Sequence, residues 1–252
     1  MTASNSSTGA DTRASSPMPL FYRNPQPLSS QNHASWRLKP GNAAFAGETS
    51  YAPIVTAEFA HAARNYPIVF STPQPLPLAV LGLERTNLFV TGDKWNEDTY
   101  VPAYVRRYPF VFMDTSDPEN FLLAIDAGSD RVVQSGTEGE PLFEAGKPSA
   151  VTQQAVKFCE TFQGEMRVTR AFCEALVTHQ LLIPQRADAT LNNGRKLSLD
   201  GFQIIDGEKL TKLADAVVVD WHRRGWLSLA YFHLASLDHF PTLVARQSAR
   251  AA

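Results

Sequence analysis

Residues 95–112, WNEDTYVPAYVRRYPFVF, constrain the fold more than any other stretch of this 252-residue chain. Six aromatic side chains, two prolines and an adjacent arginine pair share eighteen positions. Aromatic residues carry the largest buried areas, and each proline fixes φ and removes a backbone donor. Such a segment is either a structural keystone or the wall of a binding site. Tyr100, Tyr104 and Tyr108 recur at helical spacing, whereas Tyr100, Pro102, Tyr104, Arg106 and Tyr108 alternate as in a strand. With Pro102 at a first turn and Pro109 as a stop, the pattern predicts one or two helical turns and then a strand over 110–114.

The surrounding sequence reads as α+β: a β-rich N-terminal half with a mixed or antiparallel sheet, and a helix-rich C-terminal half that contributes a strand. Residues 1–20, rich in Ser, Thr and Ala, read as a disordered tail, 21–246 as one domain and 247–252 as a C-terminal tail. Strands are predicted at 51–55, 67–71, 76–83 and 87–90, with Thr56 as N-cap of a helix over 57–65 and Glu58 in its first turn. Asp117-Pro118-Glu119-Asn120 is turn chemistry that joins the 110–114 strand to a returning strand over 121–126. From Ser149, the residues Ala155, Cys159, Phe162, Met166, Cys173 and Leu176 form the apolar stripe of a long helix that reaches His179 and is ended by Pro184. A second helix is marked by Asp206 as N-cap, a stripe of Leu210, Leu213, Val217 and Trp221, and Gly225 as a left-handed cap. Residues 226–233, WLSLAYFH, read as a buried strand.

Composition narrows the function. The formal net charge is −2, and the only basic clusters are Arg106-Arg107 and His222-Arg223-Arg224, so there is no basic stripe of the kind that tracks a phosphate backbone. Nucleic acid is therefore not an expected partner. The longest apolar run, near 75–83, falls far short of the ~20 residues needed to span a bilayer. The first residues lack a basic segment followed by an apolar one, so a cytoplasmic location is expected, with the cell surface by a non-Sec route as the alternative. Cys159 and Cys173 sit fourteen residues apart on one predicted helix, hence ~21 Å apart, beyond disulfide reach. They read as small core residues.

The six histidines show no metal-ligand spacing, and no nucleophile elbow or glycine-rich phosphate loop is present. No cofactor, metal site or catalytic residue is expected. The best candidate contact surface is Arg106 and Arg107, whose planar forks suit a carboxylate, phosphate or sugar oxygen, framed by Tyr100, Tyr104 and Tyr108. Trp95, Trp36, His33 and Arg37 are candidates for the same wall. The structural alternative is that the arginines stack on tyrosine rings without any ligand.

Several segments together resemble the bacterial SapC family, named for a protein associated with a surface layer. They begin with His33 and Arg37, Glu58-Phe59, Tyr66-Pro67-Ile68-Val69-Phe70, and Asn87-Leu88-Phe89 with Trp95. They continue through residues 100–110, Pro141-Leu142-Phe143, Thr169-Arg170-Ala171-Phe172, Asp200-Gly201-Phe202, Gly225-Trp226-Leu227 and His233-Leu234-Ala235-Ser236-Leu237. The resemblance implies a protein of surface-layer systems, or of gene neighbourhoods of outer-membrane uptake and flavin-dependent halogenases. It supplies no catalytic residues. The membrane permease that shares the name is a different protein, because this chain has no span.

The expectation is a soluble accessory or binding protein of a cell-envelope or uptake system, acting on an unknown protein partner or small molecule. Two alternatives stand beside it. One is an enzyme for a small anionic or sugar-like substrate, which requires Arg106 or Arg107 to meet a histidine such as His33 or His233 and a carboxylate. The other is a structural surface-layer component.

Overall fold

The computed structural model describes residues 18–115, 117 and 120–250. The tail expected over 1–20 lies outside the described residues as far as residue 17, as do Pro118 and Glu119 of the expected turn and the last two residues of the chain.

In chain order the principal elements begin with strands β1 (Pro25–Pro27) and β2 (Tyr51–Pro53), and the short helix α1 (Phe59–Ala62). Strands β3 (Ile68–Ser71) and β4 (Pro77–Val80) and helix α2 (Ala103–Arg106) follow. Next come strands β5 (Phe110–Asp114) and β6 (Phe121–Asp126), the long helix α3 (Ala150–Thr178), and strands β7 (Leu182–Thr190) and β8 (Lys196–Ile205). Helices α4 (Gly207–Leu210), α5 (Asp215–Arg223), α6 (Trp226–Ser236) and α7 (Phe240–Arg250) complete the order.

The α+β reading holds. One sheet has the order β7-β8-β3-β4-β2, a second has β1-β6-β5, and all of these pairings are antiparallel. The strands over 110–114 and 121–126 have the predicted bounds, because their apolar residues end on turn chemistry at both sides. One apolar cluster joins the larger sheet to the helices, with Phe59, Ile68, Phe70, Phe172 and Trp221 all buried. Phe172 meets Phe59 at 6.2 Å and Trp221 at 6.1 Å, both edge to face. Burial of each such ring contributes roughly 2–3 kcal/mol, and Phe172→Ala would cost about 3–5 kcal/mol.

Helix α3 runs unbroken past Gly164 for 29 residues and buries Cys159, Phe162, Phe172, Cys173 and Leu176 on one face. It is therefore both a core element and, through its other flank, the floor of the site below. Among the described residues, no helix is long and apolar enough to cross a membrane.

The structure corrects several local expectations. Residues 226–233 are helical, in α6, with Ala230, His233 and Ser236 buried three apart. An apolar run with few polar interruptions gives no periodicity to separate strand from helix, and the left-handed Gly225, at φ +74°, starts the helix directly after α5. The C-terminal half contributes two strands instead, β7 and β8. Helix α3 ends at Thr178, and Pro184 lies within β7, an edge strand where its missing N–H breaks no ladder bond on the open side. Asp206 does cap a helix, accepting from the N–H groups of Glu208 and Lys209, but that helix is the single turn α4, and α5 begins separately at Asp215. Thr56 is not an N-cap: Thr56–Glu58 form a 3₁₀ turn, and the Thr56 hydroxyl meets that of Thr169 on α3 at 3.2 Å. Of the strand expected over 87–90, only Val90 pairs, within the ladder of Val90–Thr91 with Lys94–Trp95.

Candidate functional site

The site grows from one buried carboxylate. Glu58 ends the 3₁₀ turn, is 4% exposed, and turns back so that Oε2 accepts from the Val55 N–H at 2.9 Å. Its Oε1 accepts from the Ala103 N–H at 2.6 Å, at the first turn of α2, and from the Tyr100 hydroxyl at 2.9 Å. Burial raises its pKa above the ordinary carboxylate value, against the pull of those three donors and of Arg106. Glu58 thereby fixes the start of α2 and the segment that carries the arginine pair.

Arg106 is exposed and ends α2. Its Nη2 donates to the Tyr100 hydroxyl at 3.1 Å and its Nε to the Val101 carbonyl at 3.1 Å, so a chain of polar contacts runs from Arg106 through Tyr100 to Glu58. Its guanidinium lies 5.4 Å from the Phe158 ring of α3 and 5.7 Å from that of Tyr100. Arg107 stacks closer, 4.0 Å over Tyr104 and 4.6 Å over Phe162, and among the described residues its buried Nε has no hydrogen-bond partner. Arg131 arrives from the loop after β6; it donates through Nη1 to the Tyr108 carbonyl and through Nε to that of Lys39. Burial lowers the Arg131 pKa, while Tyr108 opposes the shift. Among the described residues none of these three arginines takes part in an ion pair.

Two clefts open along the flank of α3. The smaller, about 200 Å³, is lined by Arg106, Arg107 and Arg131 together with apolar groups, Tyr108, Gln154 and Cys159, and by no carboxylate among the described residues. Burial pushes the Cys159 thiol up to about 11 despite the nearby Arg107, so it stays protonated at neutral pH. The larger, about 510 Å³, carries Glu58, Tyr100, Lys157 and Glu165, and shares Arg106, Gln154 and Phe158 with the first. A groove of about 1050 Å³ lies elsewhere, between the 73–76 turn and the C-terminal half of α3; its lining holds one cation, Arg170, and one carboxylate, Glu174.

The structure thus brings Arg106, Arg107, Tyr100 and Tyr108 to the clefts, with Tyr104 beneath Arg107. The other candidates lie elsewhere. Trp95 donates its indole N–H to the Tyr66 hydroxyl, which in turn donates to the Tyr100 carbonyl, so it braces the segment from behind. His33 packs edge-on against Trp36 at 4.2 Å, and its Nδ1 accepts from the Ser29 N–H. Arg37 donates to the Gly139 carbonyl at 2.9 Å. His233 is fully buried in the core, where its Nε2 accepts from the Ile205 N–H. Neither His33 nor His233 lines either cleft. Glu58, Arg131 and the α3 residues Gln154 and Phe158 are site members that sequence reasoning did not select. Among the described residues no group of His, Cys, Asp and Glu is placed to hold a metal ion.

An α+β scaffold with an arginine cleft set against one long helix is the class of protein defined here. The SapC family model matches residues 28–243, and the chain belongs to the SapC family. No curated protein and no solved structure matches it.

Proposed function

We propose that the chain is a non-catalytic binding protein serving a bacterial cell-envelope or uptake system, and that it holds an anionic small molecule in the cleft of Arg106, Arg107 and Arg131. The observation that carries this reading is three arginines lining one cleft with no carboxylate among its described lining residues. Cations of a folded domain are ordinarily offset by acids or solvated apart, and guanidinium forks match carboxylate and phosphate oxygens in pairs. Among the described residues, the buried Arg107 Nε is a donor without an acceptor. No histidine is among the described lining residues of either cleft, which supports binding over histidine-based acid–base chemistry. Membership of the SapC family supports the envelope setting.

The test is a thermal shift and calorimetric titration of the purified chain with phosphate, pyrophosphate and citrate, in chloride buffer of constant ionic strength. A ligand at ten to a hundred times its Kd stabilises by about 1.4–2.7 kcal/mol, a readable shift. Arg107→Met and Arg131→Met should each abolish it while leaving the circular dichroism spectrum unchanged. A shift that persists in both variants, or none with any anion, rejects the reading.

A further inference from the structure

The two clefts along α3 differ in charge, and the difference points to the shape of the ligand. Among the described lining residues of the smaller cleft, Arg107 and Arg131 stand without an acid, beside Arg106, which the two clefts share. In the larger, Arg106 and Lys157 are matched by Glu58 and Glu165, so that part is polar without net charge. A ligand spanning both is charged at one end and hydrogen-bonding but uncharged at the other. The clefts adjoin, since Arg106, Gln154 and Phe158 line both.

The chemistry of the larger cleft is that of hydroxyl recognition. Gln154, Lys157, Thr161 and Glu165 lie along one flank of α3, at spacings of three and four that place them on one helix face; Gln154 and Lys157 offer donors, Gln154 and Glu165 acceptors, and Thr161 an acceptor oxygen whose proton goes to the Lys157 carbonyl. Phe158 and Phe162 supply apolar surface between them, against which the C–H face of a sugar ring packs. Glu58 does not compete for a ligand ammonium group, because both of its oxygens already accept from protein donors. That leaves Glu165 alone for the ammonium group of an amino-acid zwitterion, in a cleft it shares with Lys157. The volume of about 510 Å³ lies inside the ordinary range for small-molecule sites.

We propose that the ligand is a hydroxyl-rich anion, a sugar phosphate or sugar acid. Its anionic group lies among Arg106, Arg107 and Arg131, and its hydroxylated part runs along α3 towards Tyr100 and Glu165. This inference rests on the anion-binding reading above and narrows it.

Calorimetry with glucose 6-phosphate, glucuronate, inorganic phosphate, glucose and glutamate tests it. At least one of glucose 6-phosphate and glucuronate should bind about tenfold tighter than inorganic phosphate, and which one does separates a phosphate from a carboxylate requirement. Glucose alone should bind far more weakly than either. Thr161→Ala and Glu165→Ala, at residues that line only the larger cleft, should bring the sugar anion back towards the phosphate Kd without moving the phosphate Kd itself. Arg131→Met should abolish binding of both. Equal affinity for phosphate and the sugar anions, or glutamate binding tighter than either, overturns this inference and leaves the anion site standing. Failure of every anion, phosphate included, overturns both.

Discussion

Tyr100 donates its phenol proton to the buried carboxylate of Glu58 across 2.9 Å, and the same oxygen accepts from Arg106 at 3.1 Å. One hydroxyl thus ties an exposed guanidinium to a charge that burial disfavours. Tyr100→Phe would leave Glu58 Oε1 with only the Ala103 N–H and free the end of Arg106. The expected cost is roughly 1–2 kcal/mol of unfolding free energy, read by urea denaturation, with weaker binding of inorganic phosphate because Arg106 is no longer aimed.

The raised pKa of Glu58 gives that site a pH signature of its own. The folded state binds this proton more readily than the unfolded chain, whose carboxyl titrates near 4.5. The Glu58 contribution to stability therefore falls as pH rises from about 4.5 through the raised folded value, and is at its lowest above it. Glu58→Gln should remove that slope. In parallel denaturation series the wild-type chain should gain on the variant as pH drops from 7 towards 4.5; a constant gap would show that the shift is not there.

Asp126 plays the corresponding part in the smaller sheet. It is fully buried at the end of β6, and each oxygen accepts twice: Oδ1 from the N–H groups of Asn24 and Gly128, Oδ2 from the Arg23 N–H and the Tyr108 hydroxyl. Four donors converge on this one carboxylate. Tyr108→Phe deletes one and should cost about 1.5–3 kcal/mol. Asp126→Asn should cost more, because its amide N–H₂ must face two N–H or O–H donors. Guanidinium denaturation of both variants checks the order as well as the sizes.

How much of this was legible in the sequence depends on whether the signal was local. The strands over 110–114 and 121–126, the long helix α3, the cap at Asp206 and the left-handed Gly225 rest on turn residues and periodicity within one window, and the structure contains all of them. The β7–β8 hairpin also carried a local signal: Asn193-Gly194 between the strands, and Leu197 and Leu199 alternating with exposed Lys196, Ser198 and Asp200. Its charged residues and Pro184 masked it. Helix α6 was not decidable locally, since its apolar residues surround it. The site was half legible. Arg106 and Arg107 announce themselves by their aromatic setting, but Arg131 and the α3 residues join them only through folding. Glu58 reads as a dipole-compensating acid until Tyr100 and Ala103 close over it.

The two cysteines should behave as core residues. Both are buried, and burial pushes their thiols up to about 11 for Cys159 and about 12 for Cys173. A neutral, enclosed thiol is a poor nucleophile. A disulfide reagent at pH 7.5 should leave both unlabelled in the native chain and label both in denaturant, as read by mass spectrometry. Fast labelling of Cys159 alone would mean that the arginine cleft opens more deeply than its geometry shows.

His233 should make the fold sensitive to acid. Its Nε2 accepts from the Ile205 N–H at 3.0 Å, linking α6 to the end of β8, and the ring lies 5.1 Å from that of Phe70. Protonating Nε2 would set two donors against each other inside the core. Burial accordingly lowers the pKa from 6.5 to about 3. The sign is opposite to that of Glu58: between those values the unfolded chain binds the proton and the folded chain does not, so stability is full above about pH 6.5 and drains away as pH falls towards 3. A separation of this size corresponds to roughly 4–5 kcal/mol, a large fraction of the stability of an ordinary domain. His233→Gln, with an amide oxygen to accept from Ile205, should be less stable at pH 7 yet lose less on acidification to pH 4. If the two chains lose stability in parallel over that range, the acid sensitivity belongs to another group.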